Sequence, residues 1–230
     1  MTGSPPDVGV VIAAGGRGER AGSATPKQFR EIGGIPMLLR AIRPFAAHPK
    51  VAEITVPLPH AVLSDLPPWL QDLLGDRLRA VEGGETRADS VARGVAALPA
   101  SCTSIVIHDA ARPFVPIATL DAIIDAVSRG ACAIAAVPIS DTIKRSDPDG
   151  VRVLETVNRH GLWRAQTPQG FPRKILEKAY EHGGQAATAT DEAELVEAIG
   201  VPVELILDTT ANIKVTTPED FVVAEALASG

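Results

Sequence analysis

Short apolar runs alternate along this chain with stretches in which apolar residues recur every three or four positions. That alternation predicts an α/β protein: a mostly parallel sheet wrapped by helices. Runs of Val, Ile, Leu and Ala place strands over 8–14, 53–57, 78–81, 104–108, 132–138 and 203–207. Helical spacing places helices over 37–47, 87–98, 117–128, 173–181, 191–199 and 218–228. Several carry their own boundaries: Pro99 beyond the second, Thr190 as N-cap ahead of Asp191 and Glu192, Gly200 and Pro202 closing that helix, and Thr217 as N-cap before Pro218. Segment 140–159 breaks the rhythm, because it alternates about the turn Asp147-Pro148-Asp149-Gly150. It predicts a hairpin whose polar faces do not belong in a core. Such a hairpin is marginal alone in water, so a protruding arm over 140–160 implies support from a second subunit and hence a homodimer; a solvated loop packed on its own domain is the plainer alternative.

Composition narrows the function classes. With 230 residues, 45% of them hydrophobic, the chain can bury the core of one large α/β domain spanning 1–230. Aromatics make up 3% and the net charge is −6, which together exclude a nucleic-acid surface built on stacking and phosphate contacts. Cys102 and Cys132 stand at or beside apolar segments and read as buried thiols rather than a disulfide or metal pair, as suits a reducing cytoplasm. The first seven residues carry no basic residue or long apolar run, and no apolar stretch reaches the ~18 residues of a membrane span, so neither a targeting nor a membrane segment is expected.

Candidate chemistry lies at three strand ends. The first strand runs into Gly15-Gly16-Arg17-Gly18-Glu19-Arg20 and closes at Pro26-Lys27-Gln28, a loop both glycine-rich and cationic, suited to triphosphate oxygens. A Walker loop is absent because Lys27 precedes Gln28 instead of following a glycine. Gly16-x-Gly18-x-x-Ala21 matches the dinucleotide fingerprint, yet the second strand ends Val56-Pro57-Leu58-Pro59-His60 without the expected acid, and Glu53 lies at its other end. The second signal is Glu82-Gly83-Gly84-Glu85-Thr86-Arg87-Ala88-Asp89-Ser90, where backbone groups could read a base edge, although two glycines also fit a plain strand-to-helix turn. The third is His108-Asp109-Ala110-Ala111-Arg112-Pro113. Asp109 there suits a metal or ribose hydroxyl and Arg112 a phosphate; a helix cap and an ordinary ion pair are the plainer reading, and His108 is expected to pack or hydrogen-bond.

Taken in order, these motifs together with Asp141-Thr142-Ile143-Lys144-Arg145, Gln166-Thr167-Pro168-Gln169, Thr190-Asp191-Glu192 and Asn212-Ile213-Lys214-Val215-Thr216 closely resemble the 2-C-methyl-D-erythritol 4-phosphate cytidylyltransferase family of the non-mevalonate isoprenoid pathway, from about Val8 to Phe221. The resemblance implies a Rossmann-like open twisted sheet of the nucleotide-diphospho-sugar transferase type. It also implies attack by the phosphate of methylerythritol phosphate on the α-phosphorus of CTP, with Mg²⁺ or another divalent cation present. Arg20, Lys27, Arg159 and Lys214 would be catalytic. Ala13, Ala14, Gly15, Gly16, Gly18, Gly84, Glu85, Ser90 and Ala110 would hold the nucleotide. Asp109, Arg112, Thr142, Arg159, Thr167, Thr190 and Lys214 would surround the polyol phosphate, with Asp109 also a metal ligand and Thr142 and Arg159 reaching into the partner's site. No protein nucleophile is required, since a phosphate monoester with a second pKa of about 6 is already anionic at neutral pH. Ribitol 5-phosphate cytidylyltransferases share much of the motif set. An NAD-dependent oxidoreductase and a nucleotide-binding regulator without chemistry are the alternatives from other classes.

Overall fold

Along β1 (Val8–Ala13), Val8, Val10 and Ile12 enter one buried cluster and Val11 the other, so both faces of this strand are covered and its sequence is apolar throughout. The computed structural model describes residues 6–15, 26–182 and 189–229. After a 3₁₀ turn (Lys27–Phe29) come β2 (Glu31–Ile32), β3 (Ile35–Pro36), α1 (Met37–Ala46), β4 (Val51–Leu58), α2 (His60–Leu63), α3 (Pro68–Gln71) and β5 (Leu78–Glu82). The chain continues through α4 (Arg87–Ala97), β6 (Ser104–Asp109), α5 (Ile117–Ser128) and β7 (Cys132–Pro138) to β8 (Ile143–Ser146) and β9 (Val153–Val157). It ends with β10 (Trp163–Pro172), α6 (Arg173–His182), α7 (Glu192–Ala198), β11 (Val203–Leu207) and α8 (Pro218–Ser229).

Seven strands form one sheet in the order β11-β7-β10-β6-β1-β4-β5. The pairs β1–β4, β1–β6, β4–β5 and β7–β11 are parallel, whereas β10 runs antiparallel to both β6 and β7. Helices α1 and α5 cover one face, with Leu38, Ile42, Phe45, Leu120 and Ile123 in the core; α4, α6 and α7 cover the other through Val91, Val95, Leu176, Leu195 and Val196. A third cluster of Ile32, Met37, Val215, Phe221 and Ala224 ties α8 back to the β2–β3 pair. Both cysteines are free and buried, and burial pushes the Cys102 thiol up and the Cys132 thiol up to about 11, which keeps both protonated.

The six strands and six helices expected from patterning are present, several with shifted ends, and 117–128, 132–138 and 203–207 keep both boundaries. Besides the short β2–β3 pair, patterning did not anticipate β10, which lies near the centre of the main sheet. Its sequence, Trp-Arg-Ala-Gln-Thr-Pro-Gln-Gly-Phe-Pro, carries two prolines and a glycine, residues that ordinarily exclude a central strand. The register against β7 shifts between Ala165 and Gln169, so Pro168 falls where the ladder is interrupted. Gly170 admits α5: a Cβ there would stand 2.6 Å from both Ile123 Cγ2 and Val127 Cγ2. The expected N-cap Thr190 is corrected to Asp191, whose carboxylate accepts from the Glu194 N–H at 3.0 Å. The hairpin is present as an isolated antiparallel pair, β8–β9, and Asp147 accepts at its turn from the Val151 and Arg152 N–H groups.

Gly94 marks where α4 approaches the sheet most tightly, since a Cβ would meet Val11 Cγ1 at 2.6 Å and Pro57 Cγ at 2.9 Å. Gly94→Ala should destabilise the fold by about 1–2 kcal/mol in urea unfolding, the overpacking outweighing alanine's better helix propensity. Gly75→Ala, which faces open space, should stay within about 0.5 kcal/mol of the parent.

Candidate active site

Parallel pairing brings the carboxyl ends of β1, β4, β5 and β6 to one edge of the sheet, where ligand crevices of open α/β folds lie. Ala13 is the register partner of Asp109, and the Ala110 N–H donates to the Ala13 carbonyl at 3.1 Å. Gln28 Nε2 donates to the Ala14 carbonyl at 3.3 Å, tying the 3₁₀ turn that carries Lys27 to the end of β1. Gly15 lies against α4 so closely that a Cβ would stand 2.3 Å from Ser90 Oγ. Gly16, Gly18 and Arg20 lie outside the described residues.

The turn after β5 is built from its own hydrogen bonds. Thr86 and Asp89 form a capping box at the start of α4, and Ser90 Oγ donates to the Thr86 carbonyl at 2.9 Å. The Gly83 N–H donates to the Leu58 carbonyl and the Gly84 N–H to Ser90 Oγ, so both glycine amides are used internally while Glu85 is exposed. Ser90 therefore braces this turn and the end of β1 together.

Asp109 is the hub. Its Oδ1 accepts from Arg87 Nε at 3.0 Å, its Oδ2 from Lys214 Nζ at 2.8 Å, and Arg112 Nε stands 3.8 Å from Oδ2. Burial alone would raise this carboxyl, but the charges of Arg87 and Lys214 hold it well below the usual carboxylate range. Arg87 also places Nη1 3.1 and 3.0 Å from the two oxygens of Glu192, a carboxylate only 1% exposed. Arg112 donates through Nη1 to the Asn212 carbonyl at 2.8 Å, and the Val215 N–H bonds the Ala111 carbonyl, which fixes the segment carrying Lys214. Lys214 itself is 44% exposed in its side chain, so its ammonium stands at the rim.

Thr167 lies beneath the hub rather than at its surface. Its Oγ1 accepts from the Asp109 N–H at 3.0 Å and pairs with His108 Nδ1 at 3.0 Å. His108 Nε2 meets the Arg112 carbonyl at 2.9 Å, which requires the proton on Nε2 and leaves Nδ1 to accept from the threonine hydroxyl. Thr190 is exposed, with its N–H and hydroxyl on Glu194 Oε2. Thr142 and Arg159 flank the hairpin and are exposed, and neither is joined by a side-chain hydrogen bond or ion pair to the Asp109 cluster among the described residues. Arg159 instead lines an open cavity of about 570 Å³ with Pro138, Leu162 and Trp163. The structure thus gathers Ala13, Ala14, Gly15, Gly84, Ser90, Asp109, Ala110, Arg112, Thr167 and Lys214 at one edge, with Lys27 tied in through its neighbour Gln28.

Arg87, Glu192 and Asn212 hold this arrangement, and patterning assigned none of them a role. Arg87 had a readable signal: it is a cation at the first position of a helix, where the macrodipole disfavours positive charge, so another partner must hold it.

Comparison with known proteins agrees with this geometry. The family model IspD, 2-C-methyl-D-erythritol 4-phosphate cytidylyltransferase, matches residues 8–229. The chain belongs to this cytidylyltransferase family. It is 39% identical over 228 residues to the 2-C-methyl-D-erythritol 4-phosphate cytidylyltransferase of Syntrophus aciditrophicus, covering 96% of this chain and 95% of that protein. The Frankia casuarinae cytidylyltransferase is 42% identical over 223 residues, covering 96% of this chain and 81% of the other. The crystal structure of the Thermus thermophilus cytidylyltransferase superposes with a TM-score of 0.81 at 33% identity, covering 97% of this chain and 100% of that one. Neither the ribitol nor the oxidoreductase alternative is favoured by these matches.

His108 gives the site a pH signature. Burial lowers its pKa from 6.5 to about 4, so the unfolded chain binds the proton more readily than the folded one. The stability from keeping it neutral is fully present above pH 6.5 and is lost as the pH falls towards 4, about 2 kcal/mol having gone by pH 5. Urea unfolding at pH 7.5 and 5.0 should show this loss, and His108→Gln should abolish most of the difference.

Proposed function

We infer that this chain joins CTP and 2-C-methyl-D-erythritol 4-phosphate to give 4-diphosphocytidyl-2-C-methyl-D-erythritol and pyrophosphate, a step of isoprenoid precursor biosynthesis. The observation that carries the reading is the cation cluster of Arg87, Arg112 and Lys214 on Asp109, at the register partner of Ala13, within a chain matched by the family over 8–229. An anionic oxygen of the methylerythritol phosphate attacks the α-phosphorus of CTP; the new P–O bond forms as the bond to the bridging oxygen of the β-phosphate breaks, and pyrophosphate leaves with that electron pair. Lys27, Lys214 and Arg20 supply positive charge to the crowded phosphates, and Arg112 serves the polyol phosphate. Ala13, Ala14, Gly15, Gly84, Glu85, Ser90 and Ala110 form the nucleotide side.

A divalent cation belongs with this reaction as the companion of the triphosphate, screening its charge. The donor set does not fit a metal held by the protein. Asp109 has one oxygen on Arg87 and the other on Lys214, and among the described residues no group of three or more His, Cys, Asp or Glu converges. Asp109 is built to hold cations of the chain, and the roles above rest on those cations alone.

The same reading makes the enzyme a cytoplasmic homodimer. Val151, Val153 and Leu154 on the arm and Leu162 and Trp163 at its foot are exposed apolar residues that a partner would cover. Thr142 and Arg159 would then complete the partner's site. Both thiols are free, and among the described residues no helix is long and apolar enough to cross a membrane.

Pyrophosphate release with CTP and Mg²⁺ should occur with methylerythritol phosphate and not with ribitol 5-phosphate or a sugar 1-phosphate; no release with methylerythritol phosphate overturns the assignment. Lys27→Ala and Lys214→Ala should each lower kcat by about 10² or more while KM for CTP changes far less. Verified heterodimers of Arg159→Ala with Lys27→Ala subunits should regain activity through one intact composite site, and no recovery counts against a shared site.

A further inference from the structure

Arg87 stands where a lone cation is disfavoured, at the first position of α4. Glu192 stands where a lone carboxylate is costlier still, 1% exposed at the first position of α7. Each answers the other: Arg87 Nη1 lies 3.1 and 3.0 Å from the two Glu192 oxygens while its Nε holds Asp109 Oδ1 at 3.0 Å. Among the described residues these are the sole side-chain hydrogen bonds joining α4 to α7. Among the described residues Tyr180, whose buried hydroxyl has no hydrogen-bond partner there, also faces this pair. One guanidinium therefore ties together the helix that follows the nucleotide turn, the strand end that carries Asp109, and the helix that follows Thr190. Neither Arg87 nor Glu192 needs to touch a substrate to matter, because Asp109 presents Lys214 through its second oxygen at 2.8 Å.

We propose that Arg87 and Glu192 are a positioning pair for the reacting phosphates: Glu192 holds Arg87, Arg87 fixes the Asp109 carboxylate, and Asp109 sets Lys214. This rests on the reading of Lys214 as a catalytic cation. It explains why the Glu192 carboxylate is buried against the Arg87 guanidinium, and it couples the nucleotide and polyol-phosphate halves of the site through one side chain.

A kinetic double-mutant cycle between Glu192 and Lys214, which share no hydrogen bond, tests it. Glu192→Gln keeps the shape and removes the charge, and should lower kcat at least tenfold with KM for CTP within about threefold. Lys214→Ala combined with Glu192→Gln should be no slower than Lys214→Ala alone, because both act through one ammonium. Arg87→Lys, which keeps the charge but cannot span two carboxylates, should reproduce the Glu192→Gln loss and serves where that variant does not fold. A folded Glu192→Gln or Arg87→Lys enzyme with kcat within twofold of the parent, or effects of Glu192 and Lys214 that multiply independently, overturns the proposal while leaving the assigned reaction standing. A parent chain that releases no pyrophosphate sinks both.

Discussion

Taking the Asp109 carboxylate out of water costs several kcal/mol unless neighbouring charges offset it, and the chain supplies three, on Arg87, Lys214 and Arg112. Those cations come from α4, from the segment before α8 and from the turn after β6, so the ion pairs fix the positions of three parts of the chain at once. The backbone side of Asp109 is equally committed, through Thr167 and then His108 to the Arg112 carbonyl. Charge complementarity at one strand end thus fixes a cluster of cations in place before any ligand arrives, the kind of preorganisation that electrostatic catalysis requires.

The chemistry suits such a surface. Phosphate attacking phosphate needs no acyl intermediate and no general base, because the nucleophile is already ionised at neutral pH. The remaining difficulty is the mutual repulsion of anions, which rigid cations address. Side chains that would be suspected as catalysts on chemical grounds, His108 and the two cysteines, are buried in structural roles. The exposed ammonium of Lys214 stands at the rim.

The parallel strands were legible because burial on both faces leaves near-continuous apolar runs such as Val8 to Ala14 and Cys132 to Val137. The motifs at their carboxyl ends were legible for the same reason, since topology sends those ends to one edge. β10 was not legible: Pro168 and Gly170 read as punctuation, yet one sits at a register shift and the other makes room for α5. Local pattern carries no information on which neighbours will surround a strand. The supporting residues Arg87, Glu192 and Asn212 were hidden differently. Their partners lie far along the chain, as with Arg87 and Glu192, and spacing along a sequence is silent about such pairs.

The antiparallel course of β10 leads the chain from the foot of the hairpin to Thr167, whose hydroxyl accepts from the Asp109 N–H. The chain leaves the sheet after Pro138, passes through β8 and β9, and returns at Trp163, which pairs with Pro138 before the strand runs inward to Thr167. A displacement of the arm would reach that hydroxyl through the short 158–162 connection and then along a backbone that pairs with β7 over Trp163–Ala165. Arm and candidate site are thus neighbours along one short run of chain.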